Sequence, residues 1–190
     1  MTLMLMRRGG VGLSLAGLVL TGCMSNPEPS PMPAPSESTG LPSPSNSPTV
    51  AAPTLPPEAK GTTEASAKAF VRHYVEVINF SVASGDTGAL ESLSDPGCTS
   101  CQAVIDRVQG VYGEGGSISS EGWEIQSSTL VPAQPARRPR LDVGLHLPPQ
   151  QVVAKRGAQP QRFDGGRLPA TFALAQRGDG WVVLEWTRSA

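Results

Sequence analysis

Three cysteines carry the most specific chemistry in this 190-residue chain: Cys23, Cys98 and Cys101. Cys98 and Cys101 enclose Thr99 and Ser100 in a Cys-x-x-Cys motif. This spacing suits a short structural disulfide, a redox-active pair at a helix N-terminus, or half of a zinc site. No strand precedes Cys98 to give the βαβ setting of a redox fold, and neither histidine has a metal-ligand spacing to the pair. The compartment of the protein decides between these chemistries.

Other catalytic constellations are sparse. His73 and Glu76 lie one turn apart in a predicted helix, where they would form either an acid/base pair or a solvated or half-buried histidine beside an acid. Asp142 and His146 share one face of a predicted strand, which we interpret as exposed polar surface. The chain has no Gly-x-Ser-x-Gly nucleophile elbow. The sequence therefore predicts no catalytic residue, no cofactor and no metal site.

The first 22 residues have the composition of a signal peptide. Arg7 and Arg8 precede an apolar run over residues 9–22, and no acidic residue accompanies them. A membrane-spanning helix needs roughly 20 apolar residues to cross a bilayer core of about 30 Å, so this run is too short to remain as an anchor. We expect residues 1–22 to be removed from the mature protein.

Leu20-Thr21-Gly22-Cys23 resembles the lipobox of bacterial lipoproteins. The resemblance implies cleavage between Gly22 and Cys23, and attachment of acyl chains such as palmitate to Cys23. At about 0.8 kcal/mol per buried methylene, two or more chains hold a protein lastingly at a membrane. It further implies the extracytoplasmic face of the cell membrane, where disulfides persist. There Cys98 and Cys101 remain as an even pair, and we predict a disulfide that fixes the turn into the third helix.

Residues 24–60 form a segment rich in proline and serine. It holds eleven of the nineteen prolines, seven serines and no aromatic residue. Such a segment has too little apolar surface to offset the entropy lost on folding. The sequence predicts three parts: a signal peptide over residues 1–22, the lipidated cysteine with a disordered tether over residues 23–60, and one domain over residues 61–190.

The domain begins with helical periodicity. Thr62 and Thr63 can cap a first helix whose apolar positions recur in steps of three and four: Ala67, Phe70, Val71, Tyr74, Val75, Ile78 and Val82. After Gly85-Asp86, a short second helix contains Ala89, Leu90 and Leu93 and stops at Asp95-Pro96-Gly97. A third helix starts near Thr99, ends at the glycines of residues 113–116, and buries Cys101, Val104, Ile105, Val108 and Tyr112.

From Ser119 the apolar period becomes two, which is typical of strands. One strand alternates at Trp123, Ile125, Ser127 and Thr129, and a second alternates at Leu141, Val143, Leu145 and Leu147 before Pro148-Pro149 ends it. Val152-Val153 begins a short piece. A strand containing Ala170, Phe172 and Leu174 turns at residues 177–180 and returns as Trp181 to Trp186. Helices followed by antiparallel strands predict an α+β fold.

This order of elements resembles the nuclear transport factor 2-like, or cystatin-like cone, superfamily. The features that carry the resemblance are the long first helix, the short helix before a Pro-Gly-Cys turn, and the Gly-Asp-Gly-Trp hairpin. It implies helices packed on a curved antiparallel sheet of about four strands. The chain also resembles an uncharacterised family of actinobacterial lipoproteins, through its signal peptide, its lipobox, its tether and its Cys-x-x-Cys motif. The superfamily includes isomerases, dehydratases and inert binding modules, so the resemblance leaves the activity open.

Aromatic and basic residues offer two further candidate sites. Tyr74, Tyr112 and Trp123 would either line a pocket in the cone or fill its core. Residues 61–125 carry nine acids and three bases, whereas residues 126–190 carry four acids and nine bases. The loops and strands of this second half contain a candidate patch for an anionic partner: Arg137, Arg138, Arg140, Lys155, Arg156, Arg162 and Arg167.

These patterns favour a lipid-anchored binding or interaction module of the cell envelope. Its expected partners are the membrane, through the lipid anchor, and an envelope protein or cell-wall polymer; nucleic acid is excluded by the location. Two alternatives stay open: a small-molecule enzyme of isomerase or dehydratase type with His73 as its acid/base, and a thiol redox protein acting through Cys98 and Cys101.

Overall fold

The structure, a computed structural model, describes residues 51–189. The predicted signal peptide, Cys23 and tether residues 24–50 lie outside the described residues. In chain order the elements are a 3₁₀ helix (Pro57–Ala59), α1 (Glu64–Ser84), α2 (Gly88–Leu93), α3 (Thr99–Gly113), β1 (Ser117–Ser120), β2 (Glu124–Leu130), β3 (Arg140–Leu147), β4 (Gln150–Val153), β5 (Gln161–Phe163), β6 (Gly166–Arg177) and β7 (Gly180–Arg188). Within residues 51–189, no helix combines the length and the apolar character that crossing a membrane requires.

The strands form two antiparallel sheets. Strands β2, β3, β6 and β7 pair in that order in a four-stranded sheet, and β1, β4 and β5 pair in that order in a three-stranded sheet. The register does not change between the sheets: Ser120 faces Gln150, and Glu124 faces His146, four residues further along each strand. The two sheets therefore continue one another in register. The predicted α+β fold, with helices first and about four antiparallel passes of chain, is confirmed.

Strand β3 ends before Pro148-Pro149, as the sequence predicts. Proline has no amide hydrogen to donate, so the ladder is interrupted there. It resumes in the same register, because Leu147 faces Gly166 and Gln150 faces Phe163. A Cβ atom at Gly165 would collide with the carbonyl oxygen of Leu147. The two prolines and this glycine mark the break between the two sheets.

Helix α1 packs on one face of the sheet. Its N-cap Thr63 accepts the amide hydrogen of Ser66 through Oγ1 at 3.1 Å, as its position in the sequence predicts. The predicted apolar stripe, including Phe70, Tyr74 and Ile78, is buried in one cluster with the alternating residues of β3 and β6: Leu141, Val143, Leu145, Leu168, Ala170, Phe172 and Leu174. We call this the inner face of the sheet. The side chains at the other positions of β3 are more exposed.

The folded part begins earlier than the predicted boundary at Gly61. Pro57–Ala59 forms the 3₁₀ helix, Ala59 is fully buried, and Leu55 packs against the core. The end of the segment that we assigned to the tether therefore contributes apolar contacts. Its proline content concealed these contacts, although proline is tolerated in the first turn of a helix, where Pro57 lies.

Strand β2 departs from the predicted alternation. A bulge lies between Ile125 and Ser127, so one extra residue opposes β3. After the bulge Ser128 and Leu130 are the partly buried positions, whereas Ser127 and Thr129 are exposed. The prediction that Ser127 and Thr129 face inward is wrong, because the extra residue shifts the strand by one and exchanges its faces.

A stability measurement at alkaline pH tests the packing of α1. Burial raises the pKa of Tyr74 to about 12, and the 2.8 Å hydrogen bond between its hydroxyl and Ser94 Oγ opposes part of that rise. An unfolded tyrosine ionises near pH 10, so unfolding releases a proton above that pH and stability falls as the pH rises. We expect this residue alone to lower the free energy of unfolding by about 2–3 kcal/mol between about pH 9 and pH 12.

The variant Tyr74→Phe has no hydroxyl to ionise at this position, so its free energy of unfolding should not show this fall at alkaline pH. At neutral pH the variant should be less stable by about 1 kcal/mol, since the hydrogen bond to Ser94 is gone. Urea unfolding of both proteins as a function of pH gives two curves that converge or cross at alkaline pH. Parallel curves would show that Tyr74 ionises freely in the folded protein, which its burial forbids.

Candidate functional site

The predicted disulfide is present at the start of α3. Cys98 and Cys101 are joined, and their residues are 1% and 0% exposed. Cys98 is the N-cap of α3, and its Sγ accepts the amide hydrogen of Cys101 at 3.2 Å. The preceding turn is fixed by Asp95, whose Oδ1 accepts the amide hydrogen of Gly97 at 2.9 Å. The disulfide therefore holds the turn from α2 into α3, the structural role that the sequence predicts.

Burial of the two sulfurs argues against the alternative chemistries of the motif. Thiol–disulfide exchange requires an attacking thiolate to reach a sulfur atom, and redox cysteines are partly exposed for that reason. Among residues 51–189, no group of three or more histidine, cysteine and acidic side chains is placed to hold a metal ion. The environment of Cys98 and Cys101 therefore favours a structural bond.

A cleft opens beside this disulfide turn, and we call it the arginine cleft. Its volume is about 440 Å³. Its walls come from the turn before α3 and its first residue, from the β2–β3 loop, from the start of β3 and from the middle of β6 and β7: Gly97, Thr99, Gln134, Pro135, Arg138, Arg140, Ala173, Leu174, Leu184 and Glu185. The disulfide turn and two of the predicted basic residues thus meet at one place.

The backbone of the β2–β3 loop is fixed where its arginines enter the cleft. The amide of Leu174 donates to the carbonyl of Pro139 at 3.0 Å, and that of Gln176 donates to the carbonyl of Arg137 at 3.0 Å. The loop therefore continues the β3–β6 ladder beyond β3. Earlier in the loop, Ala133 has a φ of 59°, a left-handed conformation that costs a residue with a Cβ roughly 1 kcal/mol. The loop adopts this conformation despite its cost.

The charges in the cleft are predominantly positive. Arg140 and Glu185 lie 4.0 Å apart and are 46% and 51% exposed, so their attraction is weak in water. Arg138 has no ion pair within the described part of the chain. Two guanidinium groups over one open cleft can bind a carboxylate or phosphate through paired hydrogen bonds.

The predicted basic patch is not one surface. Arg140 and the Arg167 that faces His146 lie at opposite ends of β3, six residues or roughly 20 Å apart. Arg162 lines a different cleft with residues of β1 and β4. Lys155 and Arg156 lie beyond β4, where the amide of Arg156 donates to the carbonyl of Glu114 at 3.0 Å. Only Arg138 and Arg140 line the arginine cleft, and Arg137 precedes them on the loop.

The aromatic residues do not line a shared pocket, and of the two alternatives the core describes Tyr74. Tyr74 is fully buried and packs edge-on against Phe172, with 6.2 Å between ring centroids. Tyr112 belongs to a separate small cluster, and its hydroxyl donates to the carbonyl of Val82 at 2.8 Å. Trp123 packs edge-on against Trp186 at 6.0 Å. Tyr74 fills the core because α1 turns its ring towards the inner face of the sheet.

His73 is buried, at 3% exposure, rather than solvated or half-buried. Its Nδ1 lies 3.8 Å from Glu76 Oε2 and has no hydrogen-bond partner within residues 51–189. Burial lowers the pKa of His73, and the nearby Glu76 carboxylate opposes part of this shift. The ring is therefore neutral in the folded protein near pH 7. A substrate cannot reach a side chain at this depth, which argues against His73 as an acid/base.

Asp142 and His146 share the outer face of β3, as predicted, but they do not form a pair. Asp142 Oδ1 accepts a hydrogen bond from Thr171 Oγ1 at 2.6 Å on the neighbouring strand. His146 lies between Glu124 and Arg167 in the strand register. Residues four apart in a strand are separated by roughly 13 Å, too far for a direct contact.

Residues 43–166 match DUF6318, a family of unknown function. No curated protein matches the chain in sequence. Among solved structures, the chain is similar to the intermembrane space region of the chloroplast protein ARC6, with a TM-score of 0.50 and 12% identity over 66% of this chain and 95% of that one.

Two further structures have lower scores. An uncharacterised protein with a cystatin-like fold from Caulobacter vibrioides has a TM-score of 0.42 and 11% identity over 65% of this chain and 87% of that one. A variant of a protein named Rd1NTF2_05 has a TM-score of 0.39 and 10% identity over 65% of this chain and 99% of that one. At these identities the likeness concerns the fold alone. The assignment to actinobacterial lipoproteins stays a prediction.

Removal of the disulfide tests its structural role. The double variant Cys98→Ala/Cys101→Ala should unfold with a free energy lower by at most about 2 kcal/mol, because a loop this short restricts the unfolded chain only slightly. In the native protein the disulfide should resist dithiothreitol until denaturant is added, with a reduction potential below about −300 mV. A potential near that of thioredoxin, with reduction of the folded protein, would instead support the redox alternative.

Proposed function

The chain belongs to the DUF6318 family, whose function is unknown, and we propose that it is a lipid-anchored lipoprotein of the extracytoplasmic face whose domain binds an anionic partner through the arginine cleft. The proposal has two parts, the placement of the protein and the binding surface of its domain. Each part has its own support and its own experiment.

The N-terminal sequence and the disulfide support the placement. Leu20-Thr21-Gly22-Cys23 has the spacing of a lipoprotein processing site after a short apolar run. A structural disulfide between Cys98 and Cys101 suits a compartment outside the cytoplasm, where thiols are not kept reduced. The two features lie far apart in the chain and favour the same compartment.

The filled interior of the domain supports binding rather than catalysis. Tyr74, Phe172 and Leu174 occupy the space between α1 and the sheet and are fully buried. A substrate pocket would require open space with polar groups directed into it. The enzyme alternative rests on His73 and the redox alternative on Cys98 and Cys101, and burial disfavours all three. Binding at the surface is the function that this packing allows.

The observation that carries the binding proposal is the position of Arg138 and Arg140. Both arginines line one cleft, and the backbone of their loop is hydrogen-bonded to β6. Binding an anion therefore costs this loop little backbone freedom, and the planar guanidinium is already shaped for paired hydrogen bonds. We assign the recognised group as a carboxylate or phosphate, carried by a cell-wall polymer or by an acidic envelope protein.

The placement predicts a specific mass for the mature protein. Mass spectrometry of the protein extracted from membranes should find Cys23 as the first residue, carrying acyl chains. Cys23→Ser removes the acylated sulfur, and we expect the mature domain to be released from the membrane fraction, since its attachment needs two or more buried chains. A bare Cys23, or a leader still joined to it, would contradict the placement.

If the arginine cleft binds an anion, removal of its two arginines should weaken that binding. Poly-glutamate and polyphosphate supply the two candidate groups, and titration calorimetry at low and high salt measures their affinities. Arg138→Ala/Arg140→Ala should weaken binding of the preferred polymer by about tenfold or more, because charge-assisted hydrogen bonds are lost.

The control variant Arg162→Ala/Arg167→Ala removes the same charge elsewhere on the domain. It should change the affinity by less than about twofold once long-range attraction is screened by salt. Equal losses in the two variants would show that binding follows net charge and not the cleft. Binding of neither polymer by the unaltered protein would contradict the anionic partner.

A further inference from the structure

The arginine cleft contains an acid as well as two arginines. In the strand register Arg140 of β3 lies opposite Ala173 of β6, and Ala173 lies opposite Glu185 of β7. The three residues form one row across neighbouring strands. They belong to the outer face of the four-stranded sheet, because the alternate residue Phe172 is buried on the inner face. Ala173 has only a methyl group, so the space between the two long charged side chains stays open.

A β-bulge brings Glu185 into this row. Leu174 lies opposite Val183, whereas the residue before Leu174 lies opposite Glu185. Leu184 is therefore one residue more than β6 provides at this point. In a regular pairing Leu184 would lie opposite Ala173, and Glu185 would point to the inner face. Bulges redirect side chains and are common beside functional sites. Here the bulge presents an acid to the cleft in place of a leucine.

The charged groups of the cleft do not satisfy one another. Arg140 Nη2 and Glu185 Oε2 lie 4.0 Å apart, which is too far for a hydrogen bond, and both side chains are about half exposed. Neither has another ion pair within residues 51–189, and Arg138 has none there. The cleft therefore offers two positive groups and one negative group to a ligand.

A simple anion does not use all three charges. A carboxylate or phosphate held by Arg138 and Arg140 would lie close to Glu185, whose like charge repels it. A ligand with a positive group beside its anion replaces this repulsion with a charge-assisted hydrogen bond. An α-amino acid has this arrangement, since its carboxylate and its ammonium group are attached to the same carbon atom.

We propose that the arginine cleft binds a zwitterionic α-amino acid group, with its carboxylate between Arg138 and Arg140 and its ammonium group at Glu185. This inference rests on the anion-binding function proposed above for the same cleft, and it names the chemical class of the ligand. Pro135 and Leu184 provide apolar wall for the rest of the amino acid.

The size of the cleft and the chemistry of the group restrict the source of the ligand. A volume of about 440 Å³ lies within the usual range of small-molecule sites. Residues inside a protein chain have no free carboxylate and ammonium group on one carbon atom, because both are used in peptide bonds. The ligand is therefore a free amino acid, or an amino acid attached through its side chain to a cell-wall polymer.

Three small probes that differ by one group test the proposal. Alanine has both charges, propionate lacks the ammonium group, and alaninamide lacks the carboxylate. NMR titration of the mature full-length chain in detergent measures their affinities, even when binding is weak. We expect alanine to bind about tenfold more tightly than either of the other two, with shifts of the amides of Ala173 and Glu185.

The variant Glu185→Gln keeps the size of the side chain and removes its charge. We expect it to weaken alanine binding about tenfold and to leave propionate binding unchanged or stronger, because the repulsion is gone. The matched control Glu124→Gln removes the same charge from β2, outside the cleft, and should change each affinity by less than about twofold. Arg138→Ala/Arg140→Ala should weaken both ligands.

The outcomes separate this inference from the function on which it rests. Propionate that binds as tightly as alanine, or a Glu185→Gln variant that binds both more tightly, would overturn the zwitterion and leave anion binding in place. If the unaltered chain binds none of alanine, propionate, poly-glutamate and polyphosphate, both proposals fail.

Soluble cell-wall peptides that carry a free α-amino acid group distinguish the two sources. If they displace alanine at a lower concentration than alanine itself requires, the ligand belongs to the wall polymer. If alanine binds in the manner described and these peptides do not displace it, the ligand is a free amino acid.

Discussion

The packing of α1 against the inner face of the four-stranded sheet is the constraint on which the rest of the structure depends. Phe70, Tyr74 and Ile78 meet the alternating residues of β3 and β6 in one cluster. The 3₁₀ helix, α2 and α3 also contact α1, and its buried positions extend beyond the predicted stripe to Ala69, His73 and Val77. An interior packed in this way has no space for a substrate. We therefore expect a ligand to bind at the surface of the domain.

Polar surface remains outside this packed interior. The arginine cleft lies where the disulfide turn and the β2–β3 loop meet the start of β3 and the middle of β6 and β7. A groove between α1 and residues 123–128 lies at the β2 edge of the sheet. The two surfaces share no lining residue, so they are distinct.

Periodicity was sufficient to predict the helices and the fold class, but not the surfaces. The steps of three and four from Ala67 to Val82 define α1, and Leu141 to Leu147 define β3, because each segment buries a single face. The bulge in β2 and the unchanged register across Pro148-Pro149 depend on strand pairing, which one segment of sequence does not contain. For the same reason the seven basic residues that resemble one patch in composition are distributed over separate surfaces.

The left-handed Ala133 and the hydrogen bonds of Arg137 and Pro139 to β6 could not be predicted from the sequence. They determine the position of the loop that joins β2 to the arginine cleft. The β2–β3 loop leaves β2 at Leu130, directly after the edge that borders the groove, and enters β3 at Arg140, in the cleft. Its position is fixed from the β6 side by these bonds and from the β2 side by the strand. The order of the β2 edge therefore bears directly on how firmly Arg138 is held in the cleft.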